Sequence, residues 1–97
     1  MIASTHPEAE RELVEGARHY KRKVNAGLAA AFITEYERVV AQLLLYPLFG
    51  SIWRAPLRHY PLRRFPYSLI YHVSDNVIRI VAVAHQSRRP EYWVGRT

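Results

Sequence analysis

Two β-rich stretches decide the fold, Phe65-Pro-Tyr-Ser-Leu-Ile-Tyr-His-Val73 and Val77-Ile-Arg-Ile-Val-Ala-Val-Ala-His85. Both are rich in β-branched and aromatic residues, and they flank Ser74-Asp75-Asn76, so the pattern predicts a β-hairpin. A two-residue turn at Asp75-Asn76 pairs Ser74 with Val77. We favour this turn because it collects apolar side chains on one face, and burial of one apolar face sets the register of a strand pair.

This register divides the side chains of the hairpin between two faces. The face expected to be buried consists of Tyr67, Leu69, Tyr71, Val73, Ile78, Ile80, Ala82 and Ala84. The other face is expected to place His72 close to Arg79 and consists of Ser68, Ile70, His72, Val77, Arg79, Val81, Val83 and His85.

Upstream of the hairpin, two amphipathic patterns predict two helices over about residues 7–46. Apolar residues recur at spacings of three and four, first at Ala9, Leu13, Ala17, Tyr20 and Val24, then at Leu28, Phe32, Tyr36, Val39, Leu43 and Tyr46. Pro7 suits the first position of the first helix, and Gly27 is expected to end it in a left-handed conformation. A connection this short makes the two helices an antiparallel hairpin.

The remaining segments predict weaker strands. Pro56 and Pro61 limit any strand in residues 52–64 to an edge or an interrupted strand, and a short strand is expected at Ile2–Thr5. The chain is therefore predicted to be α+β, a helical hairpin packed on a small antiparallel β-sheet in the order βααβββ. We expect a single domain over residues 1–97, with the helices at about 7–46, the sheet at about 52–86 and a basic aromatic tail at 87–97.

Composition excludes several kinds of site. Cysteine is absent, which excludes disulfides, Cys-ligated zinc and thiol catalysis. The four glycines are scattered and form no phosphate-binding loop, and the five histidines show no metal-ligand spacing. We therefore expect no cofactor and no metal. No apolar run approaches the roughly 18 residues of a membrane span, and we expect a cytoplasmic protein.

The charge is unevenly distributed along the chain. The formal net charge is +6, and twelve of the fourteen basic residues are arginines. Residues 1–38 balance six acids against six bases, whereas residues 39–97 hold eight arginines against Asp75 and Glu91 alone. A basic half of this kind predicts a surface that meets a polyanion or an acidic protein.

Arginines interleaved with aromatic residues are typical of surfaces that bind single-stranded nucleic acid, where cations meet phosphates and rings stack on bases. The residues that we predict to bind nucleic acid or a protein partner are Arg54, Arg58, Arg63, Arg64, Arg88, Arg89 and Trp93. The alternative for Trp93 is that it packs the tail on the sheet.

The chain resembles the RelE/ParE superfamily of toxins from type II toxin–antitoxin systems. The resemblance lies in Arg63-Arg-Phe-Pro-Tyr67 and in the tail His85-Gln-Ser-Arg-Arg-Pro-Glu-Tyr-Trp93, with weaker similarity in the helical half. It implies a helical hairpin against an antiparallel sheet, and a cognate antitoxin as partner. It also implies one of two activities: RelE-like members cleave mRNA on the ribosome without a metal, and ParE-like members poison DNA gyrase.

Each activity assigns different roles to the same residues. For ribosome-dependent cleavage, the resemblance implies His85 or Tyr92 as proton-transfer groups, with Arg58 and Arg79 on the phosphate. For gyrase inhibition, the helices and the basic tail dock a protein and cut nothing. Many RelE-like nucleases carry lysines or a glutamate on the strand after the helices, but residues 48–64 contain no Lys, Asp or Glu. Whether the chain is an enzyme therefore stays open at this point.

The partner expectations follow from the same resemblance. The chain is expected to meet either the ribosome and mRNA or DNA gyrase, and to form a toxin–antitoxin complex. We expect an acidic antitoxin segment to cover the apolar stripes of the helices and the basic face of the sheet. The alternative is a small basic nucleic-acid-binding protein without toxicity.

Overall fold

The computed structural model describes residues 1–97, which form two helices and five strands. The helices are α1 (Pro7–Lys23) and α2 (Ala26–Leu45). The strands are β1 (Ile2–Thr5), β2 (Ser51–Arg54), β3 (Leu57–Pro61), β4 (Tyr67–Ser74) and β5 (Val77–His85). Both helices pack on the same side of one sheet, which confirms the predicted α+β class. Neither helix combines the length and the apolar character that crossing a membrane requires.

Side-chain caps explain where both helices begin. His6 caps α1, with its Nδ1 accepting a hydrogen bond from the Glu8 amide at 3.0 Å. Asn25 caps α2, with its Oδ1 accepting from the Leu28 amide at 2.7 Å. The predicted left-handed cap at Gly27 is wrong, because Gly27 lies within the first turn of α2. Since Asn25 satisfies an amide that would otherwise lack a partner, a new helix starts almost immediately after α1 ends.

The five strands lie in the order β1-β5-β4-β3-β2. β2 to β5 pair antiparallel, as predicted, whereas β1 joins β5 in parallel, so the sheet is mixed. Four strands rather than three follow the helices, because the expected strand in residues 52–64 is divided at Ala55-Pro56. Proline lacks the amide hydrogen that a continuous strand would donate to its neighbour.

The β4–β5 hairpin has the predicted turn but changes register beyond it. Ser74 pairs with Val77, and His72 pairs with Arg79, as predicted. A β-bulge then falls between Ile70 and Tyr71 and leaves Val81 without a paired residue. Because the bulge adds one residue to β5, the side chains after it point to the opposite face from the one expected.

The predicted faces are therefore wrong for the last part of β5. We call the side of the sheet that contacts the helices the helix face, and the other side the outer face. Val83 lies in the core of the helix face, whereas Ala82 and Ala84 lie on the outer face. His85 also lies on the helix face, where its ring packs edge-on against that of Tyr67 with centroids 5.0 Å apart.

Two hydrophobic clusters follow from this arrangement. The main core lies between the helices and the helix face, and its buried members are Ala9, Phe32, Val39, Leu43, Leu62, Phe65, Leu69, Tyr71, Ile78, Ile80 and Val83. A smaller cluster on the outer face is covered by the tail after β5, and its buried members are Ile70, Val81, Ala82, Ala84 and Trp93.

The apolar stripes of both helices are covered by this chain's own sheet. Phe32, Val39 and Leu43 are fully buried, and Leu13 and Tyr20 pack against the same cluster. The expectation that an antitoxin segment covers these stripes is therefore wrong. Only the last residue of each predicted stripe is strongly exposed, namely Val24 and Tyr46.

Gly16 lies where α1 packs closely on the core, and its replacement tests this packing. A Cβ at Gly16 would lie 2.8 Å from Phe32 Cε2 and 3.2 Å from the Tyr67 hydroxyl. We expect Gly16→Ala to lower the free energy of unfolding by about 1–3 kcal/mol, the usual cost of overpacking, although alanine is the better helix former.

Gly27→Ala is the matched control, because a Cβ there meets only Asn25 Oδ1, at 3.2 Å. We expect the stability of this variant to differ from that of the wild type by less than about 1 kcal/mol, because the gain in helix propensity and the close approach to the Asn25 cap act in opposite directions. Urea unfolding followed by circular dichroism measures both variants. Equal stability of the two alanine variants would contradict the packing described here.

Candidate functional site

A groove of about 340 Å³ lies between α1 and the end of β5. It contains two of the predicted catalytic residues, His85 and Tyr92, together with the predicted binding residue Arg88. Its other lining residues are Glu12, Glu15, Gly16, His19, Tyr20, Tyr67, Val83 and Ser87. The structure therefore brings together three of the predicted residues, next to a carboxylate that the sequence prediction did not include.

That carboxylate belongs to Glu12, the one charged residue that is buried. Its Oε1 accepts hydrogen bonds from the Val83 amide and from the Arg96 guanidinium, each at 3.0 Å. Arg96 also donates to the Val81 carbonyl at 3.0 Å. Because β1 pairs with β5 only as far as Ile80, the groups at Val81 and Val83 would otherwise lie unpaired along the edge of β5.

Tyr92 is held in the groove with its hydroxyl away from solvent. The Arg88 and Arg96 guanidinium carbons lie 4.2 and 5.2 Å from the centre of its ring. The hydroxyl is buried and has no hydrogen-bond partner within the chain. Burial first, and the neighbouring Glu12 carboxylate second, raise the pKa of Tyr92, so the phenol holds its proton tightly. This environment opposes the predicted role of Tyr92 in proton transfer.

His85 has one ring nitrogen occupied by the chain itself. Its Nδ1 accepts a hydrogen bond from the Ser87 amide at 3.1 Å and lies 2.7 Å from the Ser87 hydroxyl. A neutral imidazole that accepts at Nδ1 carries its proton at Nε2. Neither nitrogen then offers a free lone pair to a substrate hydroxyl, which argues against His85 as a general base.

The two predicted phosphate-binding arginines lie elsewhere. Arg58 Nη1 donates to the Gly50 carbonyl at 2.8 Å and to the Leu48 carbonyl at 3.2 Å, beside the end of α2. Arg79 lies on the outer face, opposite His72, and donates to Ser4 Oγ at 2.6 Å and to the Thr97 main-chain oxygen at 3.1 Å. Both guanidinium groups therefore hold together parts of the chain.

Arg79 and His85 are separated in two ways. They lie six residues apart on β5, which corresponds to about 20 Å along a strand. The bulge places them on opposite faces of the sheet, although simple alternation would put both on one face. The structure therefore does not bring the four predicted catalytic residues around one phosphate group.

The predicted binding residue Trp93 is core rather than an exposed ring. It is buried on the outer face and packs edge-on against Trp53 with ring centroids 5.4 Å apart. Arg54, at the end of β2, pairs with Glu91 of the tail at 3.1 Å, and its guanidinium lies over the Trp53 ring. These contacts fasten the tail to the sheet and favour the packing alternative for Trp93.

The other predicted binding residues form one exposed basic surface. The Gln86 amide donates to the Pro66 carbonyl at 2.8 Å, so the segment before β4 and the start of the tail lie side by side. The four exposed arginines on these two segments, which we call the basic end, are Arg63, Arg64, Arg88 and Arg89. None of their guanidinium groups takes part in a salt bridge, although the Arg63 amide donates to Glu35 at 2.7 Å.

The sequence prediction missed Glu12 and did not include Arg96 among the site residues, although one feature of the sequence pointed to Glu12. Glu12 is spaced three residues from Ala9 and four from Gly16, which is the helical spacing of the buried stripe. A carboxylate on a buried stripe requires a cationic partner. No cluster of three or more histidine, aspartate or glutamate side chains has a geometry that would hold a metal ion.

Comparison with known proteins agrees with the fold. A family model described as the ParE toxin of the type II toxin–antitoxin system parDE matches residues 4–90. Among solved structures, the chain is similar to one from P. aeruginosa, described as "Chromosomal ParDE TA system from P. aeruginosa". The TM-score is 0.78 at 19% sequence identity, and the match covers 88% of this chain and 95% of that chain. At this identity the structural match supports the fold alone. No curated protein sequence matches the chain.

The buried Glu12–Arg96 pair gives a prediction for stability. Arg96→Met leaves the carboxylate buried without its cation, and we expect the free energy of unfolding to fall by about 3–5 kcal/mol. The double variant Glu12→Gln, Arg96→Met replaces the charge by a neutral amide, and we expect it to be more stable than Arg96→Met alone.

Urea unfolding of the two variants provides the measurement. Arg11→Met is the control, because Arg11 pairs with Glu8 and Glu15 on the exposed surface of α1, where such a loss costs about 1 kcal/mol or less. An Arg96→Met variant as stable as Arg11→Met would show that the buried pair does not hold the tail in place.

Proposed function

The chain belongs to the ParE toxin family of type II toxin–antitoxin systems, and from this we propose that it arrests growth by inhibiting DNA gyrase. It is the toxin of a toxin–antitoxin pair, with a cognate antitoxin as its partner. Within the superfamily that the sequence resembles, ParE-like members poison gyrase and RelE-like members cleave mRNA. The family match favours the first target, and it favours a toxin over the alternative of a non-toxic nucleic-acid-binding protein.

The observation that carries the proposal is the dispersal of the predicted catalytic residues. Metal-free RNA cleavage needs a base, an acid and a cation within hydrogen-bonding reach of one phosphate. Here Arg58 and Arg79 are bonded to separate parts of the chain, and His85 and Tyr92 lie in a third place. This arrangement favours a protein that acts by binding its target over a protein that cleaves RNA.

The surface best suited to the target is the basic end. Its four arginines are exposed, and none of their guanidinium groups forms a salt bridge within the chain. Exposed guanidinium groups speed association with an acidic partner and make bidentate contacts with carboxylate or phosphate. We therefore assign Arg63, Arg64, Arg88 and Arg89 to gyrase or to the DNA that gyrase holds.

Two assays on purified protein distinguish the candidate targets. In a supercoiling reaction with gyrase, we expect the toxin to block supercoiling at near-stoichiometric concentration. In a cell-free translation reaction, we expect mRNA to stay intact. New 5′ ends at in-frame positions, dependent on ribosomes, would replace the gyrase proposal by the nuclease one. In that case the double variant His85→Ala, Tyr92→Phe is expected to abolish cleavage, whereas under the gyrase proposal it stays toxic.

Substitution at the basic end tests the docking surface. We expect Arg88→Gln, Arg89→Gln to raise the toxin concentration needed for half-inhibition of gyrase at least about tenfold, because two exposed charges without a salt-bridge partner are lost from the contact. The control is Arg18→Gln, Arg22→Gln, which removes two exposed arginines of α1. We expect it to change the toxin concentration for half-inhibition by less than about twofold. Equal effects of the two double variants would mean that inhibition depends on the total charge of the toxin and not on the basic end, which would contradict the proposed docking surface.

A further inference from the structure

The end of α2 and the loop after it expose an unusual run of large apolar side chains. Leu45 is 74% exposed, Leu48 66% and Phe49 56%, and Tyr46 is also strongly exposed. With Pro47 these residues line a shallow groove of about 400 Å³. We call this surface, residues 45–49, the α2-end patch. Ile52, two residues into β2, is exposed as well and extends the apolar surface towards the free edge of the sheet.

The backbone beneath the α2-end patch is firmly held. The Tyr71 hydroxyl donates to the Pro47 carbonyl at 2.8 Å and accepts from the Gly50 amide at 2.9 Å. Arg58 donates to the carbonyls of Leu48 and Gly50. The Phe49 ring stacks on that of Tyr60 with centroids 5.8 Å apart. Because these bonds hold the main chain of the loop, the backbone of the α2-end patch loses little conformational entropy when a partner binds, which favours docking.

The charge around the α2-end patch favours an acidic occupant. The segment that forms the patch, β2 and β3 contributes no carboxylate of its own, because the sequence contains no acidic residue between Glu37 and Asp75. The Arg58 guanidinium donates to carbonyl oxygens and forms no salt bridge with a carboxylate of the chain. An apolar surface beside a cation that has no carboxylate partner matches an amphipathic segment that carries acidic residues beside its apolar ones.

The same charge argues against a second copy of this chain as the occupant. The net charge is +6, and a two-fold contact through the patch would bring two Arg58 side chains close together. The family assignment provides a different partner, the cognate antitoxin. We therefore propose that the α2-end patch anchors an acidic, amphipathic segment of the antitoxin. The proposal rests on the assignment to a toxin–antitoxin pair, and it does not depend on whether the target is gyrase.

The test compares two double variants that each remove two exposed apolar side chains. Leu48→Ser, Phe49→Ser changes the α2-end patch, and Val24→Ser, Val94→Ser changes exposed valines elsewhere. The probe is the protein encoded by the gene adjacent to the toxin gene, and its affinity for each variant is measured by isothermal titration calorimetry. We expect the patch variant to bind at least about thirtyfold more weakly, and the control within about threefold of the wild type.

The free variants are also assayed for gyrase inhibition, which separates the two proposals. We expect the patch variant to inhibit gyrase as the wild type does, because the basic end is intact. Antitoxin binding at wild-type strength would overturn the patch proposal, and so would loss of gyrase inhibition with antitoxin binding retained. If the wild-type toxin does not inhibit gyrase but the patch variant still loses antitoxin affinity, the target proposal fails and the patch proposal stands.

A second measurement on the wild-type protein covers the case in which the patch variant does not fold. Hydroxyl-radical footprinting of the free toxin and of its antitoxin complex reports on solvent access residue by residue. We expect oxidation of Leu45, Tyr46, Leu48 and Phe49 to fall at least about fivefold in the complex, whereas Val24 changes little. Unchanged oxidation of the patch in a saturated complex would overturn the proposal.

Discussion

The Glu12 carboxylate joins three parts of the chain that are far apart in sequence. It accepts from the Val83 amide of β5 and pairs with Arg96 of the tail, while its own residue lies on the buried side of α1. Burying two charges is costly, and such a pair adds little to stability compared with well-packed apolar residues. What the pair provides is position. The pairing of β1 with β5 ends at Ile80, and this placement of α1 and of the tail supplies the hydrogen bonds for the main-chain groups of Val81 and Val83. The groove with His85, Arg88 and Tyr92 depends on that placement.

Several elements could be predicted because local chemistry determines them. The helices follow from spacing, and the Asp75-Asn76 turn sets the pairing of Ser74 with Val77. The bulge could not be predicted, because Val81, Ala82, Val83 and Ala84 are all apolar and either alternation buries hydrophobic side chains. The division of the strand at Pro56 could be predicted as a limit on strand length. The parallel pairing of β1 could not be predicted, because no feature of Ile2–Thr5 indicates which strand it pairs with.

The candidate site shows the limit of reasoning from residue type. Histidine, tyrosine and arginine are suitable groups for RNA cleavage, but their usefulness depends on which atoms remain free. The Ser87 amide occupies His85 Nδ1, burial holds the Tyr92 proton, and Arg58 is used to fasten the loop after α2. None of these local bonds can be read from composition. Glu12 is the converse case: its spacing placed it on the buried stripe, but its partner lies 84 residues further along the chain.

The α2-end patch and the basic end are separate surfaces that lie near different points along β4. β4 begins at Tyr67, beside the basic end, and Tyr71, which supports the patch, is four residues further on. Four residues span about 13 Å along a strand, and about nine residues of a helix cover the same distance. An antitoxin segment anchored on the patch would therefore hold its neighbouring acidic residues at high effective concentration over the basic end. Apolar contact would then provide the affinity, and weak, salt-sensitive ionic contacts would be enough to cover the basic end.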